Sequence, residues 1–175
     1  MHPSTFFHYC PRCGVAAGDQ KPSGPFHCGG CGFHYYFNPA NAAAAFVTRE
    51  DGRVLFIHRA KDPAKGLLAL PGGFIDAGET AEEAVRREVK EEVGLEIEHL
   101  EYLGSHPNLY LYREVTYPVL DFFFTARVKG TGGACDAEEV AGMDWLLPKE
   151  VRPEHVAFPS VRAALAVLVR ACSEG

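Results

Sequence analysis

Gly73-Phe74-Ile75-Asp76-Ala77-Gly78-Glu79-Thr80-Ala81-Glu82-Glu83-Ala84-Val85-Arg86-Arg87-Glu88-Val89-Lys90-Glu91-Glu92-Val93-Gly94-Leu95 is the stretch from which the rest of the chain is read. Thr80 with Glu83 three residues on has the form of a capping box, which predicts a helix over 81–93. Gly94 supplies the left-handed residue that ends it. Within that helix Glu88, Glu91 and Glu92 stand at i, i+3 and i+4 and share a face. Val85, Val89 and Val93 make a neighbouring apolar stripe directed at the core, with Arg86 and Arg87 outside it.

Clustered carboxylates repel, at a few tenths of a kcal/mol per neighbouring pair. A solvated acidic helix tolerates that cost. It gives no reason, however, for Pro71-Gly72-Gly73, Gly78, Glu79 or Arg87 around the same helix. A hard divalent cation such as Mg²⁺ or Mn²⁺ accounts for the cluster, because it takes carboxylate oxygens, carbonyls and water.

Gly73 to Leu95 resembles the Nudix box, G-x5-E-x7-R-E-U-x-E-E-x-G-U with U a bulky aliphatic, at every constrained position. The resemblance implies an α/β fold, the α/β/α sandwich with a mixed sheet. It also implies a hydrolase that cleaves a nucleoside diphosphate linked to another moiety. By the same resemblance Glu88, Glu91 and Glu92 bind catalytic Mg²⁺ or Mn²⁺, and the carbonyl of Gly72 adds a ligand. Glu79 pairs with Arg87 to brace the loop opened by Gly73 against the helix. A further carboxylate takes the proton from the attacking water. Glu92 is available for this, and the family often uses a glutamate from a later loop. Glu139, six residues before Trp145 in a segment with Asp136 and Glu138, fits that second description. The plainer reading of the segment is an ordinary acidic loop.

Cys10-x2-Cys13 and Cys28-x2-Cys31, fourteen residues apart, form the second strong pattern. Two such knuckles read as a zinc ribbon with four thiolates around structural Zn²⁺. The competing reading is a pair of disulfides, and the absence of an apolar run in Met1 to Tyr9 favours zinc and a cytoplasmic setting. Cys135 and Cys172 read as free thiols. A segment this short buries little core, so metal supplies its folding energy.

The chain has 175 residues, a length that suits a ribbon at 1–38 and a catalytic domain at 39–175, with Asn38-Pro39 at the boundary. A net charge of −6 argues against a broad electrostatic footprint for nucleic acid, and no membrane segment is evident. Residues 43–48 and 54–59 read as strands joined at Asp51-Gly52, with further strands at 67–70, 97–103 and 119–128. Pro159 to Cys172 reads as a closing amphipathic helix.

A four-cysteine ribbon before a Nudix box resembles the NADH pyrophosphatase group. That group carries S-Q-P-W-P-F-P-x-S after the box, whereas this chain has Ser105-His106-Pro107-Asn108-Leu109-Tyr110. The expected substrate is therefore a nucleotide-derived small molecule such as ADP-ribose, NADH or a relative, with removal of a nicotinamide cap from RNA as a variant. Tyr110 and Tyr112 are candidates to stack on a base and Arg59 to meet a phosphate, although an alternating Leu-Tyr pair also describes a half-buried strand. A nucleotide-sensing module without catalysis is the rival from another class. The family resemblance suggests a homodimer.

Overall fold

The computed structural model describes residues 1–21, 23–130 and 133–172, together with the backbone of 173 and 174. The chain divides into two compact units. One holds Met1–Ala40 with Leu109–Val119, and the other Asn41–Asn108 with Leu120–Gly175.

In the first unit a single turn of 3-10 helix at Pro3–Phe6 precedes the antiparallel strands β1 (Phe26–His27) and β2 (His34–Tyr35). Its core is small: Cys10, Phe26 and Cys28 are buried, with Phe7, Phe33 and Phe37 packed around them. The ring of Phe7 meets that of Phe37 edge-on at 4.8 Å. So few apolar side chains leave this unit dependent on a cross-link for its stability.

The second unit is built on seven strands that, among the described residues, join in one mixed, curled sheet. They are β3 (Ala40–Thr48), β4 (Val54–Arg59), β5 (Leu68–Ala69), β6 (Gly72–Phe74), β7 (Glu96–Tyr112), β8 (Val115–Lys129) and β9 (Val140–Leu146). The main path runs β5-β4-β3-β8-β7, with β6 on β3 and β9 on β4. Helix α1 (Ala81–Val93) follows β6, and α2 (Pro159–Glu174) ends the chain.

Alternation along the strands makes the sandwich. Ala43, Ala45 and Val47 of β3, Leu55 and Ile57 of β4, and Phe124 and Ala126 of β8 pack with Val85, Val89 and Val93 of α1. The intervening residues Phe46, Val54, Phe56 and Phe123 pack with Val161, Ala164, Leu165 and Leu168 of α2. One helix therefore covers each face. Burying each of the valine, leucine, isoleucine and phenylalanine side chains among these stabilises the fold by about 1.5–3 kcal/mol before entropy is counted.

The predicted box helix has the predicted bounds. Thr80 Oγ1 accepts from the Glu83 N–H at 3.2 Å, and Glu83 Oε2 accepts from the Thr80 N–H at 2.9 Å. Gly94 sits at φ 63° and donates to the Lys90 carbonyl. Several strands differ in extent from the sequence reading, β3 beginning at Ala40 rather than at 43. β7 and β8 run well past 97–103 and 119–128 and meet across Arg113-Glu114, with Arg113 at φ 53°. The strand expected at 67–70 is only Leu68–Ala69, and β6 and β9 were not anticipated.

Candidate active site

Four features converge on the C-terminal half of α1: the glycine turn of β6, the loop at 75–80, the face carrying Glu88 and Glu92, and the segment before β9, whose Asp136 N–H donates to the Glu92 carbonyl. Gly72 takes φ +150°, and a Cβ there would lie 2.3 Å from the Ala43 carbonyl oxygen, so only glycine lets β6 pair this closely with β3. A Cβ on Gly73 would lie 2.5 Å from Glu88 Oε1. The missing side chain is the space that the Glu88 carboxylate occupies.

Arg87 organises the loop. Its Nε donates to Glu79 Oε1 and its Nη2 to Glu79 Oε2, both at 2.9 Å, which is the pairing expected from the sequence. Nη2 also donates to the Phe74 carbonyl at 3.1 Å. Nη1 donates to Glu88 at 2.7 Å and to Glu91 at 3.2 Å. All five guanidinium N–H groups thus have an acceptor, which a lysine cannot reproduce. The Arg87 hydrogen bonds hold the Glu79 carboxyl below the usual carboxylate range. Those from Glu79 and then Glu88 push the pKa of Arg87 up.

The remaining glutamates are under opposite pressure. Glu92 is only 8% exposed and accepts one hydrogen bond, from the Gly72 N–H at 2.8 Å. Burial pushes its pKa up to about 8; the Gly72 N–H opposes this, and the charges of Glu88 and Glu139 add to the rise. Burial likewise raises Glu88, with Glu91 and Glu139 adding to it against the pull of Arg87. Glu139 thus lies near enough to act on both. Its carbonyl accepts from the Ala60 N–H at 2.9 Å, and Lys61 Nζ stands 3.9 Å from its carboxylate. Glu91 is the most exposed of the box acids.

Buried carboxylates that raise one another's pKa are oxygen donors short of a cation. Glu88 and Glu92 therefore have the donor chemistry that a hard divalent ion takes, with the exposed Glu91 on the same helix face.

The four cysteines come together in the other unit, all four sulfurs lying within 4.8 Å of one another. Cys10 and Cys31 Sγ are 3.7 Å apart, and Cys13 and Cys28 Sγ 3.6 Å. A tetrahedron of sulfurs at the usual zinc bond length has edges of about 3.8 Å, so the cluster has the size of a zinc site. The Cys31 backbone N–H is the largest influence on Cys28 and pulls its thiol down to about 6. For Cys13 the Val15 N–H pulls down, but hydrogen bonds from Cys31, Cys28 and Cys10 together with burial push it up to about 12.

Of the lower-ranked candidates, Arg59 lies at the end of β4, where the ladder with β9 shifts register between His58 and Arg59. Its guanidinium lies over the Phe158 ring at 4.9 Å, and its charge lowers the pKa of Glu92. Tyr110 and Tyr112 belong to the first unit, where Arg113 lies over the Tyr112 ring at 5.4 Å. Phe158 and the β4 bulge escaped the sequence reading, because both depend on which distant strands pair. Among the described residues no helix is long and apolar enough to cross a membrane.

The class is now defined by fold and site together. Residues 38–166 match the NUDIX domain, and the chain belongs to the Nudix hydrolase family. It is 37% identical over 99 residues to the NAD-capped RNA hydrolase NudC of Pseudomonas aeruginosa (strain LESB58), covering 55% of this chain and 34% of that protein. It is 49% identical over 63 residues to the ADP-ribose pyrophosphatase of Methanocaldococcus jannaschii, covering 36% of this chain and 37% of that one. The matches thus span little more than a third of these curated relatives. A crystal structure of a NUDIX hydrolase from Nitrosomonas europaea shares the fold at a TM-score of 0.66 and 22% identity, covering 90% of this chain and 87% of that one.

Proposed function

We propose that the chain hydrolyses the pyrophosphate bond of a nucleoside diphosphate linked to another moiety, ADP-ribose, NADH or a similar compound, and releases a nucleoside monophosphate. The observation that carries this reading is the convergence of Glu88, Glu92 and Glu139 beside the Arg87-braced loop, with Glu92 buried and pushed up to about 8. Such a site suits a substrate whose own negative charge repels a nucleophile. Mg²⁺ or Mn²⁺ held by Glu88, Glu91, Glu92 and the Gly72 carbonyl would supply charge neutralisation and an acidified water.

The protein's own groups do the rest. Glu79 and Arg87 hold the loop that follows β6, and the Gly72 N–H holds the Glu92 carboxylate against that strand. Glu139 stands on the segment before β9, outside the helix, and is the base assigned to the attacking water. Arg59, whose charge acts on Glu92, is the cation assigned to a phosphoryl oxygen. The names of the similar proteins, an NAD-capped RNA hydrolase and an ADP-ribose pyrophosphatase, both point to cleavage within a nucleotide pyrophosphate. Zn²⁺ on Cys10, Cys13, Cys28 and Cys31 is structural in this reading, since four thiolates leave no open position.

The test is a turnover screen with Mg²⁺ and with Mn²⁺ over ADP-ribose, NADH, NAD, FAD, diadenosine polyphosphates and NAD-capped RNA, with products separated by chromatography. One substrate well above the rest, silenced by Glu92→Gln, supports the reading. Tight nucleotide binding without turnover would replace it with a sensor.

A further inference from the structure

Arg59 is held more firmly than a surface arginine needs to be, and what holds it lies on another element. Its Nε donates to the Pro63 carbonyl at 2.7 Å. Its backbone N–H and carbonyl bond to Leu67 and Gly66. The guanidinium carbon lies over the Phe158 ring, 4.9 Å from its centroid. Among the described residues no acceptor takes a hydrogen bond from Nη1 or Nη2 of Arg59, while the charge of the group acts on Glu92. A cation whose Nη atoms have no acceptor among the described residues is thus held by the Pro63 carbonyl and the Phe158 ring, close enough for its charge to act on Glu92.

The corner carrying Phe158 is fixed from several sides. The Ala157 N–H donates to the Leu68 carbonyl at 2.8 Å. Nε and Nη2 of Arg162 donate to the Val156 carbonyl at 3.0 and 2.8 Å. The Phe158 carbonyl accepts from the Arg162 N–H, starting α2. Two residues on, the buried Ser160 hydroxyl donates to Asp121 of β8 at 2.5 Å. A ring needed only to fill the core would be served by the apolar cluster it already touches. This ring also presents a face to a cation, the arrangement in which the quadrupole of an aromatic ring attracts a guanidinium.

We propose that Phe158 is a positioning residue, whose ring holds the Arg59 guanidinium beside Glu92 so that Arg59 binds a phosphoryl group of the substrate. This rests on the pyrophosphatase reading above and adds to it the residue that orients the phosphate ligand. Phe158 itself touches no reacting atom; it sets where a charged fork points, and misplacing such a fork weakens binding.

The experiment is a double-mutant cycle with Phe158→Leu, Phe158→Tyr and Arg59→Gln in the full chain. The readouts are KM and kcat for ADP-ribose, and the Kd of its α,β-methylene analogue by calorimetry. Phe158→Leu is expected to raise KM and Kd about tenfold with kcat within about twofold, and Phe158→Tyr to restore both. In the Arg59→Gln background the leucine substitution should have no further effect. An equal rise in both backgrounds would reduce Phe158 to a packing residue. An unchanged Phe158→Leu in an active protein would overturn the proposal alone. A wild-type chain that neither binds the analogue nor hydrolyses the panel would overturn the pyrophosphatase reading together with it.

Discussion

Replacing Glu92 by glutamine should stabilise the protein in magnesium- and manganese-free buffer and destroy its activity when those ions are present. Burial is the cause. The Glu92 carboxyl is raised from its ordinary 4.5 to about 8 by desolvation and by its acidic neighbours. Below about pH 4.5 folded and unfolded chains both hold the proton. Between 4.5 and 8 the folded chain keeps it and the unfolded chain does not, so each pH unit upward costs the native state about 1.4 kcal/mol. Above 8 the loss levels off at roughly 5 kcal/mol. Glutamine keeps the shape, still accepts from the Gly72 N–H, and does not titrate.

At about 2–4 °C per kcal/mol for a chain of this size, the Glu92→Gln protein should melt about 10–20 °C above wild type at pH 8.5, with the gap closing toward pH 4.5. Trp145 is the only tryptophan and lies on β9 in the catalytic unit, so its fluorescence follows that unit without the ribbon. Magnesium should then raise the wild-type midpoint and leave that of the variant nearly unmoved. A wild type at least as stable as Glu92→Gln at pH 8.5 without those ions would refute the reasoning, because no unrelieved charge would then be present.

Further outcomes follow from the same geometry. Glu139→Gln should lower kcat by about a hundredfold or more with KM little changed, as measured in steady-state assays, because it removes the base and no ligand. Gly73→Ala should lower activity by at least tenfold and shift the melting midpoint by only a few degrees, since its Cβ would meet Glu88 Oε1 at 2.5 Å and displace a carboxylate with some freedom to move. Cys28→Ser should abolish stoichiometric zinc in the purified protein and broaden the amide NMR signals of the ribbon. Retained zinc with sharp signals would return the four cysteines to another role.

Local chemistry explains which parts of this molecule were readable before the fold was known. The box helix was legible to the residue because Thr80, Glu83 and Gly94 fix its ends within a few bonds of themselves. The cysteine cluster was legible because its spacing demands it. The long β7-β8 pair was not. Gly104, Pro107 and Pro118 have low strand propensity, yet the structure carries both strands through them. β6 is equally hidden, since Gly72 and Gly73 have little strand propensity and are extended only because Ala42 to Ala44 of β3 pair with them. Arg59 was visible as a charge and Phe158 only as a residue before a helix. Their contact depends on β4, β5 and the corner before α2 meeting in space.

Arg87 and Glu92 stand one helical turn and a residue apart and carry opposite burdens, and the contrast says what the helix is organised to do. Arg87 has every donor used and is the more firmly charged for it. Its bonds consume the repulsion of Glu79, Glu88 and Glu91, and they fix the loop whether or not a cation is bound. Glu92 receives no bond from Arg87; the Gly72 N–H and the charge of Arg59 oppose its burial without offsetting it. A helix selected for stability alone would carry glutamine or leucine there, since a buried acid with raised pKa weakens the fold across the physiological range. The sequence keeps the loop braced by an internal cation and leaves one acid deliberately short of a partner. That division of labour favours a preformed site whose missing charge arrives from outside the chain.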